Sequence, residues 1–117
     1  MAKIRQFNIN GMTAEIETSE LVEVETASAG SLTKTLKPNT LCICNNPLTA
    51  LSITLATPSE TDIVNEYHML FITDDTTPIT LTLPSGITWN TGSQPQPNLD
   101  KHCEISIMYG VGYFQEL

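Results

Sequence analysis

Three cysteines and two histidines are the residues of this chain whose chemistry best suits metal binding. Cys42 and Cys44 are separated by one residue, which places both thiols on the same face of a strand. His68 and the adjacent pair His102-Cys103 could complete a ligand set. Structural zinc sites, however, usually hold paired ligands on turns, whereas Cys42 and Cys44 lie within an apolar strand. We therefore expect core packing for these thiols, and we predict no metal and no cofactor.

Acidic residues form two further groups. Asp74 and Asp75, followed by Thr76, resemble half of a calcium-binding loop, but the glycine and the third carboxylate of such a loop are missing. We expect a polar turn at this position. Five glutamates lie between Glu15 and Glu25. They alternate with other residues in short strand-like segments, which predicts a strand face that points outward into solvent.

Nucleophilic catalysis requires a nucleophile, a base and an orienting group. The chain has many hydroxyl groups and two histidines but no Gly-x-Ser-x-Gly elbow. His68 alternates with large apolar residues, which favours a histidine satisfied within a sheet, and His102 adjoins a loop. The Gly110-Val111-Gly112 segment precedes a strand rather than a helix and is therefore not a phosphate loop. We predict that the protein is not an enzyme.

Trp89 is the single tryptophan of the chain. With Tyr67 and the amide side chains of Gln94 and Gln96, it could form a platform on which a sugar ring stacks. An isolated aromatic residue more often serves packing, because a sugar site also needs convergent polar groups. We favour packing for Trp89 and retain a carbohydrate-binding or host-surface adhesion module as the alternative function.

The elements that must position these residues are short strands. Apolar and small polar residues alternate strictly in 51–55 and in 79–83, which places the apolar side chains on one face. The segment 67–72 is apolar on both faces apart from His68, which predicts a central strand covered on both sides. Segments 103–107 and 112–117 form a final hairpin around Gly110. We predict an all-β fold, an antiparallel, jelly-roll-like β-sandwich of about 8–10 short strands.

Composition limits the classes of partner. The chain has 117 residues, of which 40% are hydrophobic and only 15% charged, and its formal net charge is −8. Five basic residues cannot form the basic stripe that nucleic-acid binding requires, and the negative charge disfavours anionic membranes. No continuous apolar stretch suggests a signal peptide or a membrane span. We therefore expect neither nucleic-acid nor membrane partners.

The charge distribution suggests two regions. Residues 1–37 are rich in glutamate, with a predicted first strand at 4–9, a turn at Asn10-Gly11 and a hairpin formed by 14–17 and 21–26. Residues 38–117 are denser in apolar residues and are predicted to form the β-sandwich core domain. We predict that residues 1–37 attach the protein to a partner by donating strands.

The order of segments from Pro38 onward resembles a small β-domain found in virion proteins of tailed phages and prophages. Residues 1–37 lie outside the resemblance, and Cys103 stands where the family often has an aromatic residue. The matching segments are Pro38-Asn39-Thr40, Leu51-Ser52-Ile53-Thr54-Leu55 with Pro58, Val64-Asn65-Glu66-Tyr67, Leu81-Thr82-Leu83-Pro84 with Trp89, Pro95, and Cys103-Glu104-Ile105-Ser106-Ile107.

The resemblance implies a structural protein of a phage virion, in a tail fibre, a baseplate, a head fibre or a head decoration. Its expected work is self-assembly and docking without catalysis, and it implies no individual binding residue. We expect a homotrimer that contacts other virion proteins and, in the alternative, a host surface glycan. The chain would be made in the bacterial host cytoplasm and reside in the virion.

Overall fold

Eleven β-strands and no helix make up the regular structure that the computed structural model describes, which comprises residues 3–9, 12–18, 21–26 and 29–117. Side chains are described for 22–26 and 29–117. The predicted all-β class is confirmed. The strands are β1 Lys3–Ile9, β2 Met12–Thr18, β3 Leu21–Glu25, β4 Ser31–Leu36, β5 Thr40–Leu48, β6 Ala50–Leu55, β7 Glu66–Thr73, β8 Thr80–Thr82, β9 Thr88–Trp89, β10 His102–Met108 and β11 Val111–Glu116.

The first two strands pair with each other in an antiparallel two-stranded sheet, with Ile9 opposite Met12. The predicted first strand is thus confirmed, whereas the predicted turn at Asn10-Gly11 lies outside the described residues. The predicted hairpin between 14–17 and 21–26 is wrong, because β2 pairs with β1 and β3 pairs with β5.

From β3 to β8 the chain alternates between two sheets and builds a β-solenoid-like stack of three rungs. The rungs are β3 with β4, β5 with β6, and β7 with β8. Within one sheet β3, β5 and β7 pair in parallel, and within the other β4, β6 and β8 pair in parallel. The predicted antiparallel, jelly-roll-like sandwich is therefore wrong in its pairing, because each rung returns the chain to the same sheet in the same direction.

The parallel register stacks equivalent side chains in rows between the two sheets. Leu32, Leu51 and Leu81 are aligned in this way on β4, β6 and β8. Leu51 is 1% exposed and Leu81 7% exposed. Fully burying one such side chain contributes about 1.5–3 kcal/mol to stability. The predicted alternation in 51–55 thus places Leu51 and Ile53 in the core as expected.

The C-terminal strands extend one sheet without continuing the stack. β10 pairs antiparallel with β7 and with β11, which confirms the predicted final hairpin. β9 pairs in parallel with β11 at the far edge. The larger sheet therefore has six strands in the order β3-β5-β7-β10-β11-β9, and the smaller sheet has three in the order β4-β6-β8.

The predicted domain boundary at residue 37 falls inside the stack. β3 and β4 precede this boundary, yet β3 pairs with β5 and β4 pairs with β6 along their full lengths. Residues 21–36 are therefore part of the same two sheets as the region predicted to be the core. An attachment role for residues 1–37 stays a prediction.

Candidate functional site

The three cysteines lie on the inner face of the six-stranded sheet and are buried, as the sequence predicts. Burial raises the pKa of the Cys42 and Cys103 thiols to about 11, so neither is a ready thiolate at neutral pH. His68 and His102 lie on the opposite, outer face, because each precedes a buried inward residue. Within the described residues, no three His, Cys, Asp or Glu side chains are placed to hold a metal ion.

A glutamate, a histidine and a serine form a line on the outer face of the six-stranded sheet. Nδ1 of His68 lies 2.9 Å from Oγ of Ser106, its cross-strand partner on β10. Nε2 of His68 lies 3.5 Å from a carboxylate oxygen of Glu66 on the same strand. This is the order of groups in a catalytic triad. Sequence reasoning missed it because only the register of β7 against β10 brings Ser106 beside His68.

The surroundings of Ser106 lack the other parts of a hydrolase site. The backbone N–H groups of β10 are shared between ladders to β7 and β11, so none is aimed at an oxyanion. Ser106 and His68 line neither of the two grooves described below. The line is best explained as three polar side chains that satisfy one another on a largely apolar face.

Asp74 closes the turn between β7 and β8. One of its carboxylate oxygens accepts hydrogen bonds from the backbone N–H groups of Thr77 at 2.9 Å and Thr76 at 3.1 Å, and from the Thr76 hydroxyl at 2.9 Å. These bonds, led by the one from Thr77, lower the pKa of the Asp74 carboxyl. The oxygen is thus used by the polar turn that the sequence predicts, as in an Asx-turn.

The two aromatic residues of the predicted sugar platform are buried. Trp89 is 8% exposed and Tyr67 is 7% exposed. The Trp89 ring covers Gly112, where a Cβ atom would lie 2.4 Å from ring atom Cε3. The hydroxyl of Tyr67 donates to the carbonyl of Ala56 at 2.8 Å, and burial raises the pKa of Tyr67. Stacking on a sugar requires an exposed ring face, so these contacts support packing.

The two glutamines of the same predicted platform complete the edge of the smaller sheet. Nε2 of Gln94 donates to the carbonyl of Leu81, and Nε2 of Gln96 donates to the carbonyl of Ile79, each at 3.0 Å. Pro95 between them is buried. A proline-rich segment cannot donate a ladder of N–H groups, so the side-chain amides supply these donors to the β8 edge. Carbohydrate binding by the four residues stays a prediction, and none of these contacts favours it.

Charged side chains occupy the interior of the first rung, where later rungs hold apolar ones. Nζ of Lys34 lies 2.7 Å from a carboxylate oxygen of Glu25 and 3.3 Å from one of Glu23. Nζ of Lys37 lies 3.2 Å from the other Glu23 oxygen. We call these four residues the first-rung ion cluster. The prediction that the glutamates point outward is wrong for Glu23 and Glu25, whose side chains meet Lys34 between the sheets.

The first-rung ion cluster lies where the stack would otherwise continue. Glu23 is the register partner of Cys42, and Lys34 is the register partner of Ile53. A further chain that stacked on β3 and β4 would have to bury these charges, which is unfavourable. Inward-pointing charges are a known way to keep an edge strand from pairing with other chains. The cluster therefore ends the stack with a polar interior.

The outer face of the six-stranded sheet is largely apolar. We use the term outer face for the outward side chains of β3, β5, β7, β10 and β11. Val22 and Val24 are 55% and 62% exposed. Among the described residues, no strand makes an extended contact across this face. Its main apolar patch lies on the β3, β5 and β7 half of the sheet and consists of Val22, Val24, Leu41, Ile43, Leu70 and Ile72.

One end of the outer face carries an apolar hairpin tip, formed by residues 108–111 between β10 and β11. Tyr109 is 83% exposed and has a φ of 54°. Met108 and Val111 flank it with 45% and 55% exposure, and Tyr113 follows with 46%. The tip and the neighbouring Tyr113 thus present four exposed apolar or aromatic side chains within residues 108–113.

Two grooves lie near the ends of the strands. A groove of about 150 Å³ lies on the outer face, at the end of β10 opposite the hairpin tip, beside Ile43, Leu70, Ile72, His102 and Leu117. This groove is the one that is continuous with the apolar face.

A second groove of about 320 Å³ lies beside Asn39 and Asn65. Nδ2 of Asn39 donates to Oδ1 of Asn65 at 3.1 Å, and the N–H of Glu66 donates to Oδ1 of Asn39 at 3.1 Å. Nδ2 of Asn65 donates to the Glu60 carbonyl at 2.7 Å. Both amides are therefore committed to bracing the loops around this groove.

Comparison with protein-family models, with curated proteins and with solved structures finds no match for this chain. In the part of the chain that the structure describes, no helix has the length and apolar character needed to cross a membrane.

Proposed function

We propose that this chain is a non-enzymatic structural protein of a tailed-phage particle that acts by self-association and by docking to other particle proteins. Its place would be a tail, a baseplate, a fibre or a head decoration, and it would reside in the virion after synthesis in the bacterial host. The observation that carries the assembly role is the apolar outer face, which the described strands leave uncovered. Large exposed apolar patches on a folded chain are typical of protein–protein contacts.

The assignment to a phage particle is supported by the order of segments that resembles tailed-phage β-domains. Val64-Asn65-Glu66-Tyr67 leads into β7, and Trp89 follows the break after Pro84. The stacked rungs suit such a role, because β-solenoid-like chains offer long, rigid surfaces to their neighbours.

Mass spectrometry of purified particles tests the proposed function. Particles induced from the host that encodes this chain should contain it at a constant ratio to the major capsid protein. Extensive washing in high salt should leave that ratio unchanged, because an apolar contact is not weakened by screening. Recovery of the chain only in the soluble fraction, with none in washed particles, would contradict the proposed function.

The homotrimer is a separate part of the proposal. Closed rings are the usual outcome of association between identical subunits. Light scattering of the purified chain should give three times the mass of the 12.8 kDa protomer. A protomer mass at high protein concentration would contradict the trimer, and a dimer mass would correct its stoichiometry.

A further inference from the structure

We propose that β3 is a detachable strand, which the first-rung ion cluster holds on the edge of the six-stranded sheet, and that its release uncovers the edge of β5. In the released state β4 and the later rungs stay in place. This release goes beyond the proposed function and does not depend on it. The reasons lie in what β3 buries, in where the chain is anchored after it, and in how the cluster joins it to β4.

The described side chains of β3 give it little apolar attachment to the fold. Val22 and Val24 point outward and are 55% and 62% exposed. The inward side chains that alternate with them are those of Glu23 and Glu25, which are charged. Within 22–25, therefore, no apolar side chain is buried. Segments with few buried apolar contacts open at a lower free energy than the rest of a fold.

The other strand of the same rung is anchored in the core. Leu36 of β4 is 1% exposed, and Leu32 packs against the core cluster. The corner before β4 is fixed as well. The carbonyl of Gly30 accepts hydrogen bonds from the N–H groups of Thr49 at 2.8 Å and Ala50 at 3.2 Å. An opening that begins at β3 should therefore end before Gly30.

The first-rung ion cluster joins β3 to residues that stay behind. Lys34 lies on β4 and Lys37 follows it, whereas both carboxylates lie on β3. Each of its ion pairs therefore crosses from β3 to the anchored part of the rung. The side chains of Glu23 and Glu25 are 26% and 33% exposed, so protons reach them from solvent. Loss of their charge would leave β3 with its backbone pairing to β5.

Acid should release the strand. The titratable groups that face the two carboxylates are Lys34 and Lys37, together with the thiols of Cys42 and Cys44 on β5. Burial raises the pKa of Cys42 to about 11, so this thiol carries no charge at neutral or acid pH. Desolvation disfavours the Glu23 carboxylate, but Lys37 and Lys34 outweigh it and lower the pKa of Glu23. The cluster thus holds β3 above about pH 4.5 and releases it as the pH falls through the folded-state pKa of Glu23.

Release of β3 would uncover an edge that accepts another strand. β3 covers β5 along residues 40–44. The edge of β11 is closed differently, by the side chain of Asn90. Its Nδ2 donates to the carbonyl of Phe114 at 3.1 Å, and its Oδ1 accepts from the N–H of Phe114 at 2.8 Å. Since an uncovered strand edge is a template for strand addition by a partner, the cluster would determine when β5 can bind one.

Amide hydrogen exchange of the full-length chain, resolved by NMR, tests the release at single residues. The double variant Glu23→Gln with Glu25→Gln keeps the shape of both side chains and removes their charge, as acid does. The matched control, Glu60→Gln with Asp62→Asn, removes two carboxylates from an exposed loop. Protection factors correct each amide for the effect of pH on its intrinsic exchange rate.

At pH 7 we expect the β3 amides that pair with β5 to lose about 10-fold in protection in the double variant, the effect of losing a hydrogen bond to a charged group. The β5 amides that pair with β3 should lose as much. The β5 amides that pair with β7 and the amides of β4 should keep their protection, and the control should match the wild type. In the wild type, the protection of β3 relative to β4 should fall as the pH drops below about 4.5.

Three results would overturn the release of β3. One is equal protection of β3 in the double variant and in the control. Another is a loss of protection shared by β3 and β4, because β3 would then open only with the whole fold. The third is a wild-type ratio between β3 and β4 that acid does not change. All three leave the proposed function standing, since none of them concerns the presence of the chain in phage particles.

Discussion

Trp89 and Gly112 form a single packing unit at the scale of the residue. Gly112 is buried, and the space of its missing side chain is filled by ring atoms Cε3 and Cζ3 of Trp89 and by Cγ2 of Ile87. Its φ does not lie in the left-handed region, so close approach and not backbone freedom requires the glycine. A lone tryptophan, which suggests a sugar platform in the sequence, is thus explained by the strand beneath it.

Gly112→Ala should destabilise the protein, because the new Cβ would meet the Trp89 ring at 2.4 Å. Overpacking of this kind typically costs about 1–3 kcal/mol. Urea denaturation followed by the fluorescence of Trp89 measures the change in the free energy of unfolding. The matched control is the same substitution in a Trp89→Leu background, followed by circular dichroism, where the smaller side chain relieves the clash. An equal loss in both backgrounds would argue against the steric explanation.

Single residues also show which parts of the candidate site can be predicted from the sequence. The period of two correctly places the thiols of Cys42 and Cys44 on one face of their strand, and both are buried as expected. The alternation could not predict that Ser106 lies beside His68. A strand pattern indicates which face a side chain occupies, but it does not indicate which strand is its neighbour in the sheet. Register is set by the whole sheet, and Glu66, His68 and Ser106 form their line only within it.

At the scale of the element, the segment 94–97 occupies the place of a further strand at the edge of the smaller sheet. Its side chains, and not its backbone, supply the hydrogen-bond donors there. Its glutamine amides donate to the carbonyl of Leu81 in β8 and to that of Ile79 just before β8, while Pro95 and Pro97 are buried. The edge of the smaller sheet is in this way closed to strand addition, which protects a sheet against pairing with other chains.

Gln94→Leu and Gln96→Leu should each lower the free energy of unfolding by about 1 kcal/mol, because each removes one donor from the β8 edge. The double variant should lose roughly the sum, as the two bonds go to different carbonyls. Ser93→Ala is the control, since only the backbone carbonyl of Ser93 accepts a bond, from Thr91. Thermal denaturation measures the change. Losses no larger than that of the control would show that the amide bonds do not stabilise the edge.

The first-rung ion cluster is a second feature at this scale. Its acidic and basic groups shift one another's pKa values. Desolvation disfavours the Glu23 carboxylate, but the hydrogen bonds and charges of Lys37 and Lys34 outweigh it and lower the pKa of Glu23. The hydrogen bond with Glu25 is the main cause that raises the pKa of Lys34. The cluster therefore stabilises the fold only while the carboxylate and the ammonium groups are both charged.

Lys34→Met should lower the free energy of unfolding at neutral pH by about 1–3 kcal/mol, because Glu23 and Glu25 would face each other without a cation between them. The lowered pKa of Glu23 gives stability that is present above about pH 4.5 and is lost as the pH falls through the folded-state value. The raised pKa of Lys34 gives stability that is present below about pH 10.5 and is lost as the pH rises through its folded-state value.

Chemical denaturation across this pH range compares Lys34→Met with Lys101→Met, whose exposed side chain lies outside the cluster. The difference between wild type and Lys34→Met should be constant between the two limits and shrink beyond either one. A difference that does not change at acid pH would contradict the assigned role of Glu23.

The elements also show which part of the fold the sequence could not predict. Alternation in 51–55 correctly indicates a strand with one buried face, but a parallel rung and an antiparallel hairpin require the same alternation. The Asn45-Asn46-Pro47 segment has residues typical of a turn, yet it lies within β5, where the pairing with β7 shifts register between Ile43 and Pro47. The chain instead changes sheets at Thr49, between β5 and β6. Turn-forming residues in the sequence therefore predict the wrong position for the point at which the chain passes from one sheet to the other.

At the scale of the whole molecule, all strands from β3 to β11 belong to the two sheets of the stack. In a stack of rungs each rung contacts only its neighbours, so terminal rungs are atypical and protect the interior. Here the first rung contributes a charged interior at one end of the stack. At the other end, the C-terminal hairpin pairs with the edge of β7 that β5 leaves free. Removal of either terminal element should expose an apolar edge.

Two N-terminal deletions separate attachment from folding. Deletion of 1–20 leaves β3–β11 intact and should keep the thermal unfolding transition of residues 21–117. Deletion of 1–30 also removes β3, which uncovers the β5 edge and leaves Lys34 without Glu23 and Glu25. The larger deletion should therefore lose several kcal/mol or aggregate. Calorimetry and light scattering of the two products measure the difference. Equal stability of the two products would mean that the pairing of β3 with β5 adds nothing to the fold.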